Sequence, residues 1–236
     1  MTETSAIPAP PTRSAPIFPA WVWWLALSSF AVGAALLGDG PIDRALQVHS
    51  DGVARTLAYW LTRVGEWWAV GAVGLVFAGV LFSLRQFKTA QAFLTVTAAG
   101  LATGFTGTLL RTLIGRTRPN ASTPEGFYGP WHDGHWIIGH YQFSSFPSGH
   151  AATLVGLAVA AWLVNRRAGV VTGLFALAVS WSRVAQSSHH FSDIIAATVL
   201  GLWLAPWFLQ KFQRLLTPRR DDAAVINSSS LVRTES

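Results

Sequence analysis

The sequence predicts an all-α fold, a bundle of six transmembrane helices with one amphipathic helix lying in the membrane interface. Three observations point there. Hydrophobic residues fill 51% of the 236 positions and charged residues only 12%, against roughly 25% charged in a typical soluble domain. Apolar runs of membrane-spanning length recur six times along the chain. Twelve Trp residues supply the amphipathic rings that concentrate where bilayer meets water.

Taken in order, residues 1–20 are rich in Pro, Ala, Ser and Thr and read as a disordered tail. A membrane domain is expected over 21–210, with apolar segments at 21–37, 67–84, 89–110, 148–164, 169–185 and 191–209, and a cytoplasmic tail over 211–236. At ~1.5 Å of rise per residue, segments of this length match the ~30 Å of hydrocarbon that a helix must cross. The first segment competes with a signal-peptide reading. The stretch before it has Arg13 as its one basic residue and is longer than a usual n-region, and no clear small-x-small cleavage site follows, so an uncleaved span is expected. Within 38–66, Leu46, Val53, Leu57, Trp60, Leu61 and Val64 fall at helical spacing, with Arg44, Asp51, Arg55 and Arg63 on other faces. That pattern predicts an amphipathic helix in the interface, and a soluble loop helix is the alternative it leaves open.

Six spans place both termini on one side. Arg13, Arg85, Lys88, Arg166, Arg167, Lys211, Arg214, Arg219, Arg220 and Arg233 lie on that side, and Arg44, Arg55, Arg63, Arg111, Arg116, Arg118 and Arg183 on the other. Lys and Arg concentrate in cytoplasmic loops, so the termini are expected in the cytoplasm and the opposite face outside. A net charge of +6 raises the question of nucleic acid. The charges sit between apolar runs and near the C-terminus rather than in one stripe, which excludes that partner. Cysteine is absent, which removes disulfides, thiolate metal sites and a thiol nucleophile.

Polar residues gather at the segment ends that this topology puts outside. The third segment runs into Arg111 and Arg118-Pro119, the fourth starts at Pro147-Ser148-Gly149-His150, the fifth ends at Ser182-Arg183, and the sixth opens after His189 with Asp193. Ionisable groups at membrane depth are costly and mark function. Their chemistry suits phosphate. Arg111, Arg118 and Arg183 offer planar donor forks that match phosphate oxygens. Ser148 and Gly149 stand at a helix start, where free backbone N–H groups and the positive dipole end attract an anion. His150 and His189 can act as nucleophile and general acid. Asp193 lies one helical turn after His189 and can hold its tautomer.

The three clusters resemble the type-2 phosphatidic acid phosphatase family, which also includes glucose-6-phosphatase and the vanadium haloperoxidases. Its motifs K-x6-R-P, P-S-G-H and S-R-x5-H-x3-D are matched by Arg111-x6-Arg118-Pro119, Pro147-Ser148-Gly149-His150 and Ser182-Arg183-x5-His189-x3-Asp193. One position departs: Arg111 stands where the family usually has Lys, keeping the charge and changing reach and fork. The resemblance implies that His189 attacks phosphorus and becomes phosphohistidine. It further implies that His150 protonates the leaving oxygen and then activates water, and that Asp193 orients His189. Arg111, Arg118, Arg183, Ser148 and Gly149 bind the phosphate. It implies no metal or other cofactor, the arginines supplying the electrostatics, and a lipid phosphate as substrate at the bilayer surface. Undecaprenyl diphosphate ranks first, ahead of phosphatidate, phosphatidylglycerophosphate and a lipid A phosphate. A lipid phosphotransferase would use the same site.

Other readings carry less. An anion transporter would hold its charges near the midplane, between repeats that this sequence lacks. His190 rivals His189 for Asp193, but the family spacing selects His189 and leaves His190 a structural role. His132, Asp133, His135 and His140 in the loop between the first two motifs have metal-ligand residue types at no recognisable spacing. With Phe127, Tyr128, Trp131 and Trp136, that loop is expected to form a lid or wall over the headgroup.

Overall fold

A computed structural model describes residues 19–48 and 52–216. The elements are α1 (Ala20–Leu46), α2 (Val53–Val64), α3 (Trp67–Ser83), α4 (Phe87–Ile114), a short hairpin of β1 (Trp131–His132) and β2 (His135–Trp136), α5 (Gly149–Val164), α6 (Arg166–Ala185) and α7 (Phe191–Leu216). In the hairpin Trp131 pairs with Trp136 and His132 with His135, antiparallel. The tails expected at 1–20 and 211–236 lie largely outside the described residues. α7 itself runs on to Leu216, past the boundary expected at residue 210.

Local chemistry sets the helix ends. Asn165 closes α5 and opens α6, its side-chain oxygen accepting from the Arg167 and Ala168 amides at 3.0 and 3.1 Å, so one residue turns the chain back on itself. α4 stops at Gly115, which adopts φ 63° and whose amide donates to the Arg111 carbonyl at 3.2 Å. A Cβ at Gly115 would also lie 1.9 Å from the Gly129 carbonyl oxygen, so glycine is required by conformation and by space together.

Small residues let the helices approach closely, as is usual where lipid tails give no hydrophobic drive between helices. α5 occupies the middle. Ala99 of α4, Ala160 of α5 and Leu209 of α7 form one buried cluster. Val70 of α3, Leu154 of α5 and Ala176 and Val179 of α6 form a second. Ala151, Ala152, Val184, Ile194 and Ala197 form a third beside the site described below. Large apolar side chains cover the outside, Phe30 at 74% and Leu37 at 89% exposure among them. An apolar exterior of this extent suits lipid rather than water.

Where the sequence predicts six spans, helices occupy all six positions, but four of them (α1, α4, α6 and α7) are long and apolar enough to cross a membrane. The bent pair α2 and α3, at 60° to each other, makes a fifth if taken as one span, and α5 is apolar but has 16 residues. The region 38–66 differs more. α1 continues to Leu46, and the amphipathic part shrinks to the 12 residues of α2. Asp39 and Asp43 account for the extension: they lie four apart on one face of α1, and both are buried by bonding to the start of α7. α2 turns Ala58 and Thr62 inward and leaves Val53, Leu57, Trp60 and Val64 exposed. It packs on α6 and is not a free surface helix.

Candidate active site

The ends of α4 and α6 and the starts of α5 and α7 meet at one end of the bundle, and this brings the three sequence clusters together. His189 is fully buried in the turn before α7. Its Nδ1 lies 2.8 Å from the Ser145 carbonyl oxygen and 3.3 Å from Asp193 Oδ2. A carbonyl can only accept, so Nδ1 carries the proton and Nε2 presents its lone pair. Burial pushes the ring well below its ordinary value, the Asp193 hydrogen bond opposes this, and Arg118 and Arg183 add to it. His189 is therefore neutral at pH 7.

Asp193 touches more than His189. It accepts from the Ser145 hydroxyl, from the His190 amide at 2.8 Å and from Arg116 Nη1 at 2.7 Å. Arg116 is 2% exposed. The same nitrogen donates to Ser192 Oγ at 2.6 Å, and Nη2 donates to Asp39 Oδ2 and Glu125 Oε1, each at 2.9 Å. Asp39 and Asp43 of α1 also accept from the Ser192 and Phe191 amides at 2.7 and 2.9 Å. These are free N–H groups of the first turn of α7, where a carboxylate is favoured. One ionic web thus ties α1, the 115–148 loop and α7 behind the His189 ring.

His190 belongs to this web and turns away from the site, its Nδ1 2.9 Å from Asp43 Oδ2. Burial and Arg116 act to lower its pKa, but the Asp43 bond, with Asp193 and Glu125, outweighs them and the net shift is upward from 6.5. A raised folded-state value means that the pair contributes its full stability below pH ~6.5 and loses it as pH rises through the folded value. Melting temperature in detergent is accordingly expected to fall from pH 6 towards pH 8.5. A His190→Gln variant should flatten that slope.

The arginines divide into two kinds. Arg118 donates to three backbone carbonyls, Tyr141 at 2.8 Å, Ser188 at 2.7 Å and Ser144 at 2.9 Å. Its guanidinium lies 3.9 Å from the centre of the Tyr141 ring, and Nη1 lies 3.5 Å from His189 Nε2. Burial first, then the charges of Arg183 and Arg111, lower its pKa to about 10, which keeps it a cation at neutral pH. The Arg183 side chain donates from Nη1 to Thr62 Oγ1 at 3.3 Å, and its buried Nε has no hydrogen-bond partner among the described residues. The Nε of Arg111 is likewise buried without one. A Cβ on Gly149 would lie 3.2 Å from Arg111 Nη1, so Arg111 faces the start of α5. Arg118 is held rigid by the protein, while Arg111 and Arg183 keep donors available to an anion.

Ser148 caps α5 and is fully buried. Its amide donates to the Asp193 carbonyl at 3.2 Å, and its Oγ is 3.5 Å from the Ala151 amide. His150 follows in the first turn, within electrostatic reach of His189, Arg111, Arg118 and Arg183. A cavity of about 770 Å³ opens beside it. Arg111, His150 and Glu66 line the cavity together with Trp67, Leu101 and Phe105. A cavity lined by both charged and apolar side chains fits an amphiphile with an anionic head.

Sequence reasoning identified the residues that meet here but not Arg116, Ser145, Asp39, Asp43 or Glu66. Arg116 lies inside the first motif, and its type and position between two assigned arginines were the signal for it. Asp39 and Asp43, four apart at the end of an apolar run, were the other. Of the loop histidines, His132 lies 3.2 Å from Asp133 and packs on Tyr128. Among the described residues, Asp39, Glu125 and His190 bring ligand atoms within 4.8 Å of one another. Arg116 bonds two of those three, so a guanidinium already supplies the positive charge there.

Comparison with known proteins agrees with the geometry. Curated relatives include the lipid A 1-phosphatases of Rhizobium johnstonii and Rhizobium etli. Each is 33% identical over 118 residues, covering 49% of this chain and 44% and 47% of the relatives. The chain therefore spans less than half the length of these relatives. A transmembrane PAP2-type phosphatidylglycerolphosphate phosphatase from Bacillus subtilis has a similar fold, with TM-score 0.57 and 18% identity over 84% of this chain and 98% of that one. Aquifex aeolicus LpxE aligns with TM-score 0.50 and 14% identity over 72% of this chain and 93% of its own. The sequence profile of the PAP2 superfamily matches residues 88–216. That stretch is more than half of the chain and holds every helix end that meets at the site, so the chain belongs to the PAP2 superfamily.

Proposed function

We propose that this protein is a membrane lipid phosphatase working through a phosphohistidine on His189. The observation that carries this reading is the His189 ring itself: Nδ1 held by the Ser145 carbonyl, and Nε2 bare of protons beside the Arg118 guanidinium. In the first half-reaction Nε2 attacks phosphorus, the P–O bond to the lipid breaks, and His150 gives its proton to the leaving oxygen. In the second, neutral His150 takes a proton from water, whose oxygen displaces the imidazole. Arg111, Arg183, Arg118, Ser148 and the Gly149 amide surround the phosphoryl oxygens and stabilise the charge they gain in the transition state. Asp193 stabilises the ring as its positive charge grows. With three guanidinium groups in that role the reaction needs no divalent ion.

In this reading six helices span the membrane, both termini are cytoplasmic, and the site faces outward. The balance of Lys and Arg between the loops supports that orientation. The substrate is a phosphate ester of a membrane lipid. Similarity to the two Rhizobium lipid A 1-phosphatases supports ranking the 1-phosphate of lipid A first, ahead of the undecaprenyl diphosphate favoured by sequence reasoning alone. Purified protein in detergent with EDTA present should release phosphate from lipid A 1-phosphate faster than from a C55 isoprenyl diphosphate, phosphatidate or phosphatidylglycerophosphate. Preference for the isoprenyl diphosphate would restore the earlier ranking. Radiolabel passing to a lipid acceptor without free phosphate would make the enzyme a transferase.

A further inference from the structure

Glu66 is the one carboxylate among the residues lining the cavity, and neither the three motifs nor the phosphate chemistry accounts for it. It stands at the break between α2 and α3 as the residue that precedes α3. Its Oε2 lies 3.5 Å from His150 Nε2, an ion-pair distance longer than a good hydrogen bond. That nitrogen is buried and has no hydrogen-bond partner among the described residues. Glu66 is itself a quarter exposed, and its charge also reaches Arg111 and Arg183. Placing it there is structurally demanding. A Cβ on the preceding Gly65 would lie 2.7 Å from Val179 Cγ1 of α6, and Val179 is fully buried. Glycine thus lets the break lie against α6 and turns Glu66 into the cavity.

A negative charge in an anion pocket would repel the substrate unless it serves a cation there. We propose that Glu66 is a positioning residue for His150, holding the imidazole so that it stays protonated while phosphate is bound and can deliver its proton to the leaving oxygen. The proposal rests on the phosphatase reading above. It assigns Glu66 no bond to substrate and no proton of its own. During the first half-reaction His150 passes one proton to the leaving alkoxide, and Glu66 stabilises the ring before that transfer. The charged and titratable groups facing His150 are Glu66 from the start of α3, Arg111 from α4, Arg118 from the loop, Arg183 from α6 and His189 from the turn before α7. Four of the five are cationic or neutral, so Glu66 is the single group in this set that favours imidazolium.

The test compares wild type, Glu66→Gln and Glu66→Asp in detergent, reading kcat/KM against pH for two probes: a short-chain phosphatidate, whose alkoxide must be protonated as it leaves, and p-nitrophenyl phosphate, whose phenolate need not be. For the lipid probe, Glu66→Gln should lose about tenfold or more in kcat/KM, and the alkaline limb of its profile should move to lower pH by about one unit. The loss should shrink to about twofold or less on p-nitrophenyl phosphate, and Glu66→Asp should recover part of it. Equal losses on both probes with an unmoved pH profile would overturn the proposal and leave the phosphatase reading standing. A wild-type protein that releases phosphate from neither probe nor from lipid A 1-phosphate, which is run as the third arm, would overturn both.

Discussion

Replacing His189 with asparagine is expected to reduce phosphate release by about four orders of magnitude or more while leaving the protein folded. Removal of an attacking group leaves only binding and electrostatic stabilisation to catalyse the reaction. Asparagine suits the test because its side-chain NH2 can still donate to the Ser145 carbonyl, which His189 Nδ1 faces at 2.8 Å, and so fills a site where the wild-type ring is fully buried. Melting curves in detergent should shift by only a few degrees, which separates lost chemistry from lost fold. Activity within about tenfold of wild type would show that another group attacks phosphorus. The pH profile of kcat/KM gives a second reading. Because burial keeps His189 well below its ordinary value, its protonation should not set an acid limb near pH 6.5. A limb there belongs to another group.

The largest stability effect is expected at Arg116. Its two terminal nitrogens bond Asp193, Ser192, Asp39 and Glu125. Changing it to methionine, which has a similar reach, leaves the Asp39 and Asp193 carboxylates buried without their counter-ion. Breaking a buried ion pair from one side costs roughly 3–5 kcal/mol. The melting temperature should drop accordingly, and catalysis should fall with it, because Asp193 also faces His189 Nδ1 at 3.3 Å. Adding Asp39→Asn to Arg116→Met removes one of the stranded charges. The double variant should therefore be more stable than the Arg116 variant alone, a coupling that thermal melting reads directly. An Arg116→Met protein that melts like wild type would mean that the ionic web contributes nothing to the fold.

Much of this was legible in the sequence because the signals were local. The six apolar segments gave helices at six positions, since runs that avoid charge for about 17 residues or more have few other stable forms. Pro147-Ser148-Gly149 gave the start of α5, since capping chemistry is encoded within four residues. The motif spacing put Arg111, Arg118, His150, Arg183, His189 and Asp193 at one end of the bundle, because alternating helices return every second end to the same side. What stayed hidden was long-range. Asp39 and Asp43 drew no reading of their own, because their partners, the amides of Phe191 and Ser192, lie about 150 positions later in the chain. That contact makes the first part of 38–66 the last turns of α1. Ser145 was invisible for another reason: the group that faces His189 is its backbone carbonyl, which no side-chain pattern reveals. Glu66 looked like the end of an amphipathic stretch, and only the turn at Gly65 against Val179 shows that it faces His150.

The most direct measurement concerns where the phosphoryl group goes. The purified protein, mixed with a 32P-labelled lipid phosphate and quenched in alkali within milliseconds, should carry label that is stable to base and labile to acid. Mass spectrometry of the digest should locate it on His189, with none in the His189→Asn variant. Label confined to His150, or turnover that never labels the protein and inverts configuration at phosphorus, would contradict the account.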